Sequence, residues 1–407
     1  MKLLILTQYF PPEVGAPQNR LYELAVRLKD KGIDVSVLTA MPNYPQMKVH
    51  EGYKGKFYRY EEMTGLHVHR SWIYVSTSKG IFKRLLNYFS FVKTSFWVGL
   101  FKVGKCDFIL CESPPLFLGM TAYLLKKLKG AKLIFNVSDL WPESAEKLGL
   151  VTNKFFLKRA TKLEEFLYRK SDLISGQTQG ICKNISSRFP DKKIFWLPNG
   201  VDLNYYNLES VDKTWREKNG FDKDDFILLY AGIIGHAQGL EVIVKAAEQL
   251  KNMQHIKFLL LGSGPEKDKL LKLKEDLKTD NVYFLDAVSK KEMPGIVAGS
   301  DVAVIPLKRL DLFKGAIPSK IFENLAMKKP ILLGVEGEAK ELFIDEGKCG
   351  LAFIPEDSVD LKNKVIQLYE NKAELTQLGE NGYNYVNRNF TRDKIANDFF
   401  NFLDQNK

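Results

Sequence analysis

The chain has 407 residues, 45% hydrophobic and 27% charged, a composition that excludes a disordered polymer and, at this length, makes two domains the expectation. Its formal charge of +11 is uneven: residues 1–200 carry 31 Lys and Arg against 16 Asp and Glu. Anionic lipid, nucleic acid or an acidic substrate are therefore the candidate partners of the first half.

No uncharged apolar run reaches the ~18 residues of a membrane-spanning helix. The apolar start, Met1 to Thr7, runs into Gln8-Tyr9-Phe10-Pro11-Pro12 without a small-residue cleavage site, so it reads as a core strand and not a signal peptide. Cys106, Cys111, Cys182 and Cys349 form no Cys-x-x-Cys pair and no zinc spacing with His, which fits reduced cysteines in a cytoplasmic protein.

In chain order, strand-like runs occupy 3–9, 35–40, 68–73, 108–112, 133–137, 173–177 and 194–197, with helical patterns such as 17–30 and 154–169 between them. That alternation predicts an α/β domain, a parallel sheet covered by helices on both faces, over 1–200. Pro198-Asn199-Gly200-Val201-Asp202 has turn chemistry, and a linker is expected near 198–206. The scheme then repeats over 206–388, with strands at 226–231, 257–261, 282–285, 302–306, 331–335 and 351–354. The end reads as helices at 361–371, 373–387 and 391–404. Two such domains suggest a crevice at the carboxyl ends of facing sheets, where open α/β sheets bind ligands.

Several segments could carry chemistry. Pro11-Pro12-Glu13-Val14-Gly15-Ala16-Pro17 joins the first strand to its helix, with Gly15 able to let backbone N–H groups approach a phosphate; Asn19 and Arg20 follow, and either could reach a ligand in the crevice. Residues 79–105 hold six basic side chains, no acidic ones and seven aromatics, among them Phe96 and Trp97 beside Lys83 and Arg84. Such a helix suits an anionic membrane surface; alternatively its aromatics pack on the first sheet. Glu112 and Ser113 end a strand, and Asp139 follows the next one, placed for chemistry or as the cap of a turn. In the second half, Gly232-Ile233-Ile234-Gly235-His236 and Gly262-Ser263-Gly264 are strand-to-helix loops that either admit a phosphate or simply turn. Neither is a Gly-x-G-x-x-Gly fingerprint or a Walker loop.

The last segment is Ala316-Ile317-Pro318-Ser319-Lys320-Ile321-Phe322-Glu323-Asn324. Pro318-Ser319 reads as a helix start, attractive to phosphate. Lys320 puts a cation in the first turn, against the helix dipole, which makes sense if it faces an anion. Glu323 stands one turn on along the same face and could accept hydrogen bonds from both ribose hydroxyls. The bland alternative is a capped helix with a Lys–Glu surface pair.

This segment resembles the donor-binding signature of retaining glycosyltransferases of glycosyltransferase family 4, particularly the bacterial O-antigen and capsule enzymes similar to L-fucosamine transferases, and the likeness covers nearly the whole chain. The resemblance implies the GT-B fold: two Rossmann-like domains facing each other across a cleft, acceptor domain first, donor domain second, with 389–407 packing back on the first. It implies that Glu323 holds the donor ribose, with Asn324 beside it, and that Lys320, Ser319 and nearby amides face the diphosphate. Gly15, Gly235, His236 and Gly262 would lie near the donor, and Leu285 would end the strand whose backbone reads the base. The string Asp139-Leu140-Trp141-Pro142 is similar to the O-antigen-like branch and makes Asp139 a candidate catalytic residue beside Lys320. Departures are Gly315 where many members have a Glu for the transferred sugar, Ala16 for a second Gly, Ile233 and Gln238 near an Arg and a Lys for the diphosphate, and Asp286 for a Gly. His236, Lys320 or Lys314 would then supply the positive charge.

The implied activity is retaining transfer of a sugar, expected to be N-acetylated, from a UDP-sugar to a polyprenyl-diphosphate-linked glycan at the inner face of the cytoplasmic membrane. The leaving phosphate can take the acceptor proton, so no protein base is obligatory; no paired-Asp metal motif stands out, and the resemblance implies metal-independent binding without another cofactor. The alternatives are a nucleotide-sugar epimerase or phosphorylase on the same scaffold, or a polyanion-binding protein; no nucleic-acid module is present, and the dehydrogenase fingerprint is missing.

Overall fold

A crossover helix lets a strand return parallel to the one before it, and both halves of the chain are built mainly that way, with one antiparallel hairpin in the first. The computed structural model describes all residues except Val14, Pro45, 78–80, Leu150 and Lys213, and the side chains of Ile81, Phe82 and Arg84. It divides into two units, Met1–Pro198 with Arg392–Lys407, and Asn199–Thr391.

The first unit holds eight strands: β1 (Lys2–Leu6), β2 (Asp34–Ala40), β3 (Tyr58–Met63), β4 (Leu66–Ser71), β5 (Phe108–Ser113), β6 (Lys132–Val137), β7 (Leu173–Gly176) and β8 (Lys193–Trp196). Their order is β3-β4-β2-β1-β5-β6-β7-β8. All pairs are parallel except the hairpin β3–β4. Strand β3 was absent from the expectation because Tyr-Arg-Tyr-Glu-Glu-Met lacks an apolar face. It forms because Thr64 and Gly65 both take positive φ, the twist a two-residue hairpin needs, and it can stay polar because it is an edge. Strand β1 also ends at Leu6, short of the expected residue 9.

Helices Ile81–Phe101, Leu118–Lys129 and Lys154–Lys170 cover one face of this sheet, over a core that includes Leu4, Leu38, Phe91, Leu125, Phe135 and Leu167. Helices Ala16–Asp30 and Arg392–Asp404 cover the other, where Ile395, Phe399 and Leu403 join Leu3, Ile5 and Leu24.

The second unit has six parallel strands, β9 (Phe226–Ala231), β10 (Ile256–Leu261), β11 (Val282–Leu285), β12 (Val302–Pro306), β13 (Ile331–Gly334) and β14 (Gly350–Ala352), in the order β11-β10-β9-β12-β13-β14. Strand order reverses between β9 and β12, as it does between β1 and β5 in the first unit. At such a switch point the loops diverge to either side and leave a crevice at the carboxyl ends.

Candidate functional site

Lys320 lies at the carboxyl-end side of the β9/β12 switch. It opens the helix Lys320–Ala326, with Ser319 before it making no side-chain capping bond. That helix has 7 residues, so its dipole is weak and the cation dominates the local field. The Lys320 Nζ sits 3.7 Å from the centre of the Tyr230 ring. Among the described residues no carboxylate pairs with it at ion-pair distance. By surface area Lys320 is only half-buried, yet its ammonium is crowded enough that burial pushes its pKa down to about 7, against a smaller upward pull from Glu323. Lys320 and Glu323 thus share one face, Glu323 half-buried. Asn324 does not join them: it is buried, and its amide donates back to the Lys320 carbonyl at 2.8 Å.

The two glycine loops interlock. Gly232 and Gly262 have φ of +146° and +142°, and a Cβ on Gly262 would come 1.9 Å from the Gly232 carbonyl oxygen. The Gly232 N–H donates to Leu261 and the Gly262 N–H to the Leu285 carbonyl, at 2.9 and 3.0 Å. Of the two readings the sequence left open for the Gly262 loop, ligand contact or tight turn, the geometry shows a close backbone-to-backbone approach that needs this glycine, with its N–H taken by Leu285. Gly235 is likewise ordinary extended backbone, φ −119°, and Gly232 is the residue of that loop that must be glycine.

His236 is exposed and accepts from Lys308 Nζ, which lies 3.1 and 2.9 Å from its two ring nitrogens. Lys308, from the loop after β12, was not singled out in the sequence. Lys314 is tied to Asp311 at 2.7 Å. Leu285, with Leu261, Asp286 and Ala287, lines an open pocket of about 700 Å³ in this unit, to which Tyr205 and Trp215 also contribute. Asp286 pairs with Lys267 at 2.6 Å.

In the first unit, Gly15 has φ 174°, extended backbone open to any residue, and its carbonyl accepts from Asn19. Arg20 points into the fold. It donates to Glu112 at 2.6 Å and to Ser138 at 2.8 Å; Glu112 also accepts from Asn136, which in turn accepts from Ser175. This buried network ties the carboxyl ends of β5, β6 and β7 together, and Arg20 Nη1 has no partner in it. Asp139 spends its carboxylate on the turn that it begins, accepting from Ser144 at 2.7 Å, and burial raises its pKa above the usual carboxylate value. Glu13, also not singled out, is buried and accepts from the backbone N–H groups of Phe10, Asn43 and Tyr44, pinning the loop after β1.

The helix Ile81–Phe101 turns Lys83, Leu86, Phe89, Lys93, Trp97 and Phe101 to solvent, with Trp97 50% and Phe101 70% exposed. Phe96 is corrected to a half-buried residue packed against the core, and the Arg84 side chain and Lys79 lie outside the described residues. The neighbouring helices on the same face add exposed Leu124, Leu128 and Phe155. Among the described residues no helix is long and apolar enough to cross a membrane, and no group of three His, Cys, Asp or Glu is placed to hold a metal ion.

Residues 15–200 match the family described as Glycosyl transferase 4-like domain, and residues 211–385 match Glycosyl transferases group 1. A protein of Escherichia coli K12 named as a colanic acid biosynthesis glycosyl transferase, WcaI, is 28% identical over 334 residues, 80% of this chain and 81% of its own. Among solved structures, sucrose-phosphate synthase of Thermosynechococcus elongatus superposes with a TM-score of 0.78 at 17% identity, over 99% of this chain and 98% of its own. HepE of Anabaena, in complex with UDP and glucose, gives 0.72 at 17% identity over 99% of both chains.

Proposed function

We propose that this chain, a glycosyltransferase of the GT-B fold, transfers a sugar with retention from a UDP-sugar to a lipid-linked glycan during synthesis of a surface polysaccharide. The observation that carries the donor site is Lys320: a crowded ammonium seated on the Tyr230 ring, with no carboxylate at ion-pair distance among the described residues, at the switch point of the second sheet, with Glu323 on the same face. A desolvated cation of this kind is stabilised by an incoming diphosphate and stabilises that group most when it departs with its extra charge. The acceptor oxygen bonds to the sugar's anomeric carbon as the bond to the diphosphate breaks on the same face, and the departing phosphate oxygen takes the acceptor's proton. Asp139, held by Ser144, then has a structural task and not a proton-transfer one. The UDP complex of HepE supports the choice of nucleotide, and the name of WcaI supports the polysaccharide.

The lipid-linked acceptor and a position at the inner face of the cytoplasmic membrane rest on the apolar and basic stripe of Ile81–Phe101, whose exposed side carries aromatics and lysines and no carboxylate.

Calorimetric titration with UDP, GDP and ADP tests the donor reading. UDP is expected to bind selectively, and Glu323→Ala to weaken it by about 10- to 100-fold, the worth of two hydrogen bonds to a carboxylate. Equal binding of the three nucleotides, or of UDP to both proteins, would falsify it.

A further inference from the structure

Tyr230 is the last buried side chain of β9 before the glycine loop, 1% exposed. It makes two contacts at once. Its hydroxyl donates to the Ile233 carbonyl at 2.6 Å, closing the turn through Gly232, and its ring face carries the Lys320 ammonium at 3.7 Å. Gly232 completes the enclosure, since a Cβ there would lie 3.0 Å from the same Nζ. Burial raises the phenol's pKa, so it stays a donor.

We propose that Tyr230 is a positioning residue for the donor site: it seats the Lys320 cation and fixes the Gly232 turn in one arrangement before nucleotide arrives. This rests on the reading of Lys320 as facing the donor diphosphate. A carboxylate could hold the lysine equally well, but it would neutralise the charge and compete with phosphate for the ammonium's three N–H donors. A ring face attracts the cation through its quadrupole and leaves most of those donors available. The hydroxyl tether adds a second role. It keeps the Ile233 carbonyl turned toward the phenol, and so a repulsive oxygen is bonded to a donor of the protein itself.

The test is a double-mutant cycle read with UDP and with uridine, which lacks the diphosphate. Tyr230→Leu is expected to weaken UDP by about tenfold, to leave uridine unchanged, and to cost almost nothing further in a Lys320→Met background. Tyr230→Phe, which keeps the ring, is expected to retain most of the affinity. Pentafluorophenylalanine at position 230 keeps the ring's shape and removes its negative face; it should match the loss of Tyr230→Leu without a cavity, and it serves if that variant does not fold. Additive losses in the cycle, or equal losses for uridine, would show that Tyr230 only supports the fold and would overturn the proposal. Loss of UDP in Lys320→Met with Tyr230→Leu silent overturns this inference and leaves the donor site standing. UDP affinity unmoved by Lys320→Met overturns both.

Discussion

A lysine whose pKa is pushed down to about 7 links ligand binding to protons. The unfolded chain holds this proton up to about pH 10.4, so between about pH 7 and 10 the unfolded state binds more protons than the folded one. Stability from this group therefore rises with pH across that window, and its cost is complete below about pH 7. Diphosphate favours the charged form. UDP binding above pH 7 should accordingly take up a proton, and affinity should fall as pH rises, by up to about tenfold per unit. Calorimetry in buffers of different ionisation heat measures the uptake directly, and Lys320→Arg, charged throughout, should abolish it. The same scale governs Arg20 and Glu112, both about 95% buried in their side chains. Arg20→Ala leaves a carboxylate without its cation and should cost about 3–5 kcal/mol in urea unfolding. Arg20 looked from the sequence like a residue able to reach a ligand. Only the positions of β5 and β6 reveal that its partners are Glu112 and Ser138.

At the scale of elements, the loops after β9 and β10 are one construction. Backbone bonds from Gly232 to Leu261 and from Ile234 to Ser263 lace them together, and the glycines let the two chains touch. Gly262→Ala should lower stability by at least about 2 kcal/mol, from its positive φ and the 1.9 Å clash, whereas Gly235→Ala, in extended backbone, should be nearly neutral. Thermal melts of the two variants side by side decide this. Glycine spacing marked both loops as special. It could not tell a glycine that admits a ligand from one that admits another loop, since both demands are met by the missing Cβ.

For the whole molecule, the last helix belongs to the first unit. Ile395, Phe399 and Leu403 are buried there, and Arg392 pairs with Glu23 at 2.8 Å. Truncation before Arg392 should destabilise the first unit by on the order of 5 kcal/mol, visible as an early separate transition on heating. The outer face of the three helices over the first sheet supplies the other test. Co-sedimentation with vesicles rich in anionic lipid should fall roughly tenfold in a Trp97→Ser, Phe101→Ser variant and weaken at high salt, while neutral vesicles bind poorly throughout. Binding indifferent to both changes would remove this face from the proposal.

The period of apolar residues in the sequence was enough for the α/β class, the repeat of the scheme and most strands, because each strand buried on both faces must be apolar throughout. The order of Pro318, Ser319, Lys320 and Glu323 was enough to mark the helix that opens at Lys320 and to put Lys320 and Glu323 on one face, since a helix start is a local event. Partnership across the sheet was not legible. That Lys320 rests on Tyr230, 90 residues away, that Arg20 is spent on Glu112, and that Phe96 turns inward while Trp97 turns outward were decided by strand order and helix rotation. Those are properties of packing, in which neighbours in space are distant in the chain.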